Sequence, residues 1–212
     1  MIGPVRCTPS CRLHEYVTER NAACSRCVVE KMGTIVASEH YLHTGQRSCH
    51  ADDGREVPCQ GSGQDASFAV GTSWPEPRFE SRDHEVMDRL TGLLWRRAAR
   101  LTPQAVVWSK ALVAVAELKQ QDAAIAWRLP TINELEVLVD CATHSPSLPS
   151  EHPFVDVQDI YWSSTTSLFE PDWSWALYLK KGATGVGQKR YAEFSVWAVA
   201  SGLGTEKRPP PT

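Results

Sequence analysis

No apolar run in the 212 residues approaches the roughly 20 that a membrane-spanning helix needs. The chain also lacks an excess of either charge. Its 22 Lys+Arg and 25 Asp+Glu leave a net charge of −3, which does not supply the clustered basic face that a nucleic acid demands. Residues Met1 to Cys7 contain no apolar h-region, so no signal peptide can be read there. Two alternatives follow: a cytoplasmic protein, or a start upstream of Met1. Tyr and Phe are scarce at five each, whereas Trp numbers eight. Trp combines a large apolar area with one N–H donor and so suits both irregular cores and binding faces, the core being the default.

Cysteine is nearly absent from most of the chain. Six of seven fall within the first 59 residues, at Cys7, Cys11, Cys24, Cys27, Cys49 and Cys59, and only Cys141 follows. Such asymmetry marks a short N-terminal segment that needs staples and a body that does not. Cys49 and Cys59 flank a polar segment centred on Asp52-Asp53-Gly54, short enough for bridging geometry, and a disulfide between them is expected. Cys7, Cys11, Cys24 and Cys27 stand at gaps of three, twelve and two residues, so they can close a tetrahedral zinc site or form two disulfides. Haem attachment is excluded, because Val28 stands where His is required. Export would favour disulfides, and zinc is the one cofactor the pattern admits. The odd total leaves one thiol unpaired. Cys141, in an apolar helical setting, is expected to be that thiol, buried and inert.

Along the chain, residues 1–43 read as a Cys-rich irregular appendage, 44–202 as the body, and 203–212 as a polar Pro-rich tail with no packed element. Residues 44–79, rich in Gly, Ser and Asp, read as loops and short strands. Glu85-Val86-Met87-Asp88 and Leu93-Leu94-Trp95 read as a β-hairpin, with Asp88 accepting backbone N–H groups across the turn and Gly92 taking a positive φ. Thr102 before Pro103 suggests the N-cap of a helix ending near Gln121, whose inner stripe is Trp108, Ala111, Leu112, Val115 and Leu118. Thr131-Ile132-Asn133-Glu134 fits a capping box opening a second helix, with Leu135, Leu138 and Val139 inward. After the loop marked by Pro146, Pro149 and Pro153 come three strand candidates: residues 160–165, 173–179 and 191–199. Residues 180–185 between the last two read as a turn. Hairpin, helix, helix and strands in that order make an α+β fold.

Three motifs in this order, Asp88-Arg89-Leu90-Thr91-Gly92-Leu93-Leu94-Trp95, Trp127-Arg128-Leu129-Pro130-Thr131-Ile132-Asn133-Glu134-Leu135 and Tyr161-Trp162-Ser163-Ser164-Thr165-Thr166, resemble the Lcl C-terminal domain family. The lead-in, with Thr44-Gly45-Gln46, the Cys49/Cys59 pair and Trp74-Pro75-Glu76-Pro77-Arg78-Phe79, is similar as well. The resemblance covers roughly residues 44–202. It implies a C-type-lectin-like domain with two helices and a twisted antiparallel sheet, export by a bacterium, and a role in binding, one family member being an adhesin for sulfated glycosaminoglycans. The chain departs from the family where Val196-Trp197-Ala198-Val199-Ala200-Ser201-Gly202 lacks an Arg that often closes the last strand.

The motifs also make sense as residues. Pro130 ends the extended piece before the helix cap. Arg128, with five donors in a fixed fork, can clamp loop carbonyls or a carboxylate. Asp88, Gly92, Trp95, Trp127, Arg128 and Trp162 are therefore read as structural. No His/Asp pair accompanies Ser163-Ser164-Thr165-Thr166, so a catalytic Ser is not supported. The shared fold raises a formylglycine-generating-type oxidase as the enzymatic alternative, but that chemistry needs a cysteine pair and the body has only Cys141. What remains is a non-enzymatic module that docks on other protein subunits, the alternative being a carbohydrate or sulfated polyanion ligand. The expected face comprises Phe169, Asp172 and Trp173 on a late loop, with Lys180, Lys181, Lys189 and Arg190 on the turns bounding the following strands.

Overall fold

The computed structural model describes residues 41–202. Cys7, Cys11, Cys24, Cys27 and the Pro-rich tail lie outside the described residues. Within them the architecture is α+β, with three antiparallel sheets and three short helices.

A two-stranded sheet comes first, β1 (Cys49–His50) against β2 (Glu56–Val57). Its turn is closed by the expected Cys49–Cys59 disulfide, with Cα atoms 5.2 Å apart. A four-residue helix, α1 (Asp65–Phe68), stands where the sequence suggested only loops and strands. Asp65 sits in its first turn, favourable beside the free N–H groups there, and Ala69 ends it in the left-handed region.

The second sheet has the order β3-β4-β5-β9, with β3 (Phe79–Arg82), β4 (Glu85–Asp88), β5 (Leu93–Arg96) and β9 (Val199–Ser201). The β4–β5 hairpin forms as read. The Leu90 N–H donates to Asp88 Oδ1 (3.0 Å), the Thr91 hydroxyl to Asp88 Oδ2 (2.9 Å), and Gly92 has φ +71°. Asp88 does more than cap this turn. It is fully buried and receives Arg78 through Nε (3.1 Å) and Nη2 (3.0 Å), tying β3 to the hairpin. Arg78 also donates to the Val137 carbonyl and lies against the Trp74 and Phe79 rings.

The long helix, α2 (Trp108–Gln121), ends where expected but starts six residues after Thr102. Thr102 is no cap: its hydroxyl donates to the Gln104 carbonyl, and Val106 exchanges backbone hydrogen bonds with Phe194 in both directions (3.0 and 3.1 Å). A residue committed to a β-bridge cannot also hold helical φ/ψ. Only Ala111, Val115 and Leu118 of α2 are buried. Leu112, placed in the core by the sequence reading, is exposed, and Trp108 is half-buried. The capping box of α3 (Ile132–Glu136) is present in full. This helix is only five residues long, so Cys141 lies beyond it and is exposed, not buried in a helix.

The third sheet, β6-β7-β8, comprises β6 (Ile160–Thr166), β7 (Trp173–Tyr178) and β8 (Ala183–Gln188). The stretch read as a turn thus contains the first half of β8. Gly182 and Gly185 suggested punctuation, but Gly185 and Gly187 admit aromatic rings: a Cβ on Gly185 would lie 2.6 Å from Tyr178, and one on Gly187 would overlap the Phe194 ring and lie 2.8 Å from Trp162. Conversely, residues 191–199 do not form one strand. Phe194 bridges Val106, Ser195 bridges Tyr161, and only at Val199 does β9 begin.

Adjacent strand residues point to opposite faces, and the core is built on that rule. On β5, β6 and β9, Trp95, Tyr161 and Val199 enter one apolar cluster, while Leu94, Trp162 and Ala200 enter another. Leu135 of α3 and Leu138 cover the first, and Ala111, Val115 and Leu118 of α2 cover the second. Trp95, Trp127 and Trp162 are buried as expected. Trp197 joins them with its ring 5.1 Å from Trp95 and 4.7 Å from Phe154.

Candidate binding face

The connection from β6 to β7, Ser167 to Asp172, is short and fastened at its base. The Ser167 N–H donates to the Trp173 carbonyl (3.0 Å), the Trp173 N–H to Glu170 O (2.8 Å), and the Lys189 N–H to Asp172 O (2.9 Å). Gln188 Nε2 reaches Asp172 Oδ2 at 3.2 Å. Above this base, Leu168 and Phe169 are 93% and 92% exposed. Two adjacent large apolar side chains in water on a tethered loop are a feature that monomeric surfaces rarely leave without use.

Lys189 belongs to the foundation of that loop. Its ammonium donates to Thr166 Oγ1 and to the Pro171 carbonyl, both at 2.8 Å, and lies 4.5 Å from the Trp108 ring centroid. Trp108 in turn donates Nε1–H to the Ser163 carbonyl (2.9 Å). A cation so engaged orders the loop and has little left to offer an anion.

The residues expected to share one face divide between two places. Phe169, Asp172, Trp173, Lys189 and Arg190 gather where β7 begins and β8 ends, since Trp173 pairs with Gln188. Lys180 and Lys181 occupy the turn at the far end of the same strands, where Tyr178 pairs with Ala183. Six residues of strand separate the two ends, about 20 Å. Tyr191, which follows Arg190, is largely exposed and joins the first group, as does Leu168. Their adjacency comes from strand pairing, so no local pattern marks Tyr191.

Of the motif residues, Ser163 and Thr166 support this loop through Trp108 and Lys189, and those read as structural serve the scaffold. Arg128 is a carboxylate clamp, reaching Glu134 Oε2 with Nη1 at 2.7 Å and Oε1 with Nη2, while its backbone pairs with Val199. Burial works to raise the Glu134 carboxyl, but the Arg128 guanidinium and the Thr131 amide outweigh it and hold the group below the ordinary carboxylate value. Trp127 Nε1 donates to Asp122 Oδ2 (2.9 Å), and Trp162 Nε1 to the Val106 carbonyl (2.7 Å). The Arg78–Asp88 pair was missed in the sequence, although both residues sit in quoted motifs. Burial, with Asp140 and Asp65 adding, pushes the Cys141 thiol up, which disfavours a reactive thiolate.

Among the described residues, no group of three His, Cys, Asp or Glu side chains is placed to hold a metal, and no helix is long and apolar enough to cross a membrane. In comparison with known proteins, the model of the Lcl C-terminal domain family matches residues 84–200, from the start of the β4–β5 hairpin into β9. No curated protein and no solved structure matches the chain.

Proposed function

The chain belongs to the Lcl C-terminal domain family, and on that premise we propose that it is a non-enzymatic binding module of an exported bacterial protein, docking on other protein subunits through the Leu168–Phe169 loop. The observation that carries this reading is the pair of fully presented apolar side chains on a loop whose base is fixed by Lys189 and by four backbone or amide hydrogen bonds. A loop ordered before binding loses little entropy on docking, so its apolar tips contribute affinity with less offset. The division of the basic residues between two ends of β7, with Lys189 already engaged, favours a protein partner over a sulfated polyanion.

The Cys49–Cys59 disulfide supports an extracytoplasmic setting, since such bonds persist in oxidising compartments. In that setting Cys7, Cys11, Cys24 and Cys27 would form two disulfides, with zinc the alternative. The order of hairpin, helices and late strands is compatible with the C-type-lectin-like fold that the family resemblance implies, and we propose that fold.

The test is co-purification of native partners by wild-type protein and by L168S/F169S. Both side chains are exposed, so the melting temperature should stay within about 2 °C. Partner recovery should fall at least tenfold if the pair anchors the interface. Undiminished recovery would refute the reading. Loss of sulfated-oligosaccharide binding on K180E/K181E would instead favour the polyanion alternative.

A further inference from the structure

In the sheet β6-β7-β8, strand β8 pairs only with β7, and its outer edge carries no further strand among the described residues. Each residue of an antiparallel strand turns its N–H and C=O to one side, and successive residues alternate. The Leu179 N–H donates to Asp159 O (2.7 Å) and the Ser167 N–H to Trp173 O (3.0 Å), so the odd-numbered residues of β7 bond to β6. The even-numbered Ser174, Ala176 and Tyr178 therefore bond to β8, where they face Gly187, Gly185 and Ala183. That leaves Thr184, Val186 and Gln188 with their backbone groups turned outward. Gln188 O is met by the Tyr191 and Ala192 N–H groups, and Val186 O by the Tyr178 hydroxyl at 3.4 Å. The three N–H groups and the Thr184 carbonyl have no strand to pair with.

Exposed edges are ordinarily blunted by charge, proline, a bulge or a covering segment. The other three outer edges of the two larger sheets follow that rule. Arg128 covers β9 by exchanging hydrogen bonds with Val199, Ser195 and Pro130 bond to β6, and β3 carries the exposed charges of Glu80 and Arg82. Strand β8 has none of these devices. Its six residues, Ala183 to Gln188, contain no charge and no proline, and they keep register with β7 without a bulge.

We propose that this edge takes an extended segment of a partner protein as an added strand, and that the segment is acidic at both ends. The charges select the occupant. Lys180 and Lys181 flank one end of β8 and Arg190 the other, all three exposed and none in an ion pair among the described residues. The two ends are about 20 Å apart, the span of six extended residues. A second copy of β8 laid antiparallel on the first would set Lys181 against Arg190, so repulsion disfavours self-pairing. Midway, Val186 pairs with Trp175, which is 37% exposed, so an apolar side chain at the centre of the segment continues that row. Main-chain hydrogen bonds supply affinity, and the end charges and central side chain supply choice. This contact is separate from the apolar tips of Leu168 and Phe169.

The experiment is fluorescence anisotropy on the full chain with a labelled peptide, Thr-Val-Thr-Val-Thr carrying two glutamates at each end. Binding should saturate below about 1 mM, and the same peptide with lysines for glutamates should not bind. V186P removes an outward N–H at an edge position that tolerates proline, and it should weaken binding at least tenfold. K180E/K181E and R190E should each weaken it at least about threefold. Peptides N-methylated at every second residue test the geometry without altering the protein. Methylation of one alternate set should weaken binding at least tenfold, and methylation of the other should leave it unchanged. Absence of saturable binding overturns the proposal, as does equal behaviour of the two methylated peptides. Binding that follows the charges yet survives V186P and both methylations overturns it too, and marks a polyanion patch instead.

Discussion

Helices α2 and α3 are held in opposite ways. The five residues of α3 carry a full capping box, a bidentate Arg128–Glu134 clamp and a fully buried Leu135. The fourteen residues of α2 have no side-chain cap, and three buried side chains hold them down. A single turn of helix is unstable alone in water, so α3 exists because its ends are satisfied and its inner face is sealed. By contrast, α2 is held by packing, through Ala111, Val115 and Leu118 beneath it and the Trp108 indole N–H on the Ser163 carbonyl. Length and importance to the fold therefore run in opposite directions here.

The sharpest way to break the comparison is truncation beneath each helix. Leu135→Ala should cost about 2–5 kcal/mol, read as a drop in chemical-denaturation midpoint, because the cavity opens beneath Tyr161 and Trp197 in the larger core. A loss below about 1 kcal/mol would mean that α3 is not the keystone described.

An intermediate effect separates the helices by pH. The Glu134 carboxyl is depressed in the folded state, so its contribution is fully present above the unfolded carboxylate value and is lost as pH falls through the folded one. Wild type should therefore lose stability below about pH 4.5, and E134Q should show a shallower acid limb with lower stability at neutral pH. Identical acid limbs would show that the pair contributes no pH-dependent stability.

The smallest effect is expected on the outer face of α2. Leu112→Ala should change monomer stability by less than about 0.5 kcal/mol, since lost contact is offset by better helix propensity. A cost approaching that of Leu135→Ala would place Leu112 in the core after all.

Where a residue's chemistry is satisfied within a few positions, the sequence reading held. Asp88 and Gly92 in their turn, Thr131 and Glu134 in their box, and Cys49 with Cys59 all answer to neighbours less than about a dozen residues away. The reading failed where a distant segment intervened. Thr102 and Pro103 look like a helix start until Phe194 captures Val106. Gly182 and Gly185 look like a turn until Tyr178 pairs with Ala183 and its ring is placed against Gly185. Leu112 fits an inner stripe on spacing alone, because the apolar run is unbroken from Ala111 to Ala116 and periodicity cannot say which of its residues meet the core.

The candidate face divides along the same line. Sequence alone marked Phe169 on a late loop and the basic turns near it, since composition and punctuation are local properties. Only the tertiary structure showed that β7 holds Lys180 and Lys181 about 20 Å from Lys189, and that Lys189 is committed to Thr166 and Pro171. Local hydrogen-bonding demand and side-chain periodicity are written in consecutive residues, and these fixed the hairpin, the cap and the disulfide. Which charges converge and which apolar side chains stay in water depends on strand register and on chain ends meeting across long separations, and only packing decides those.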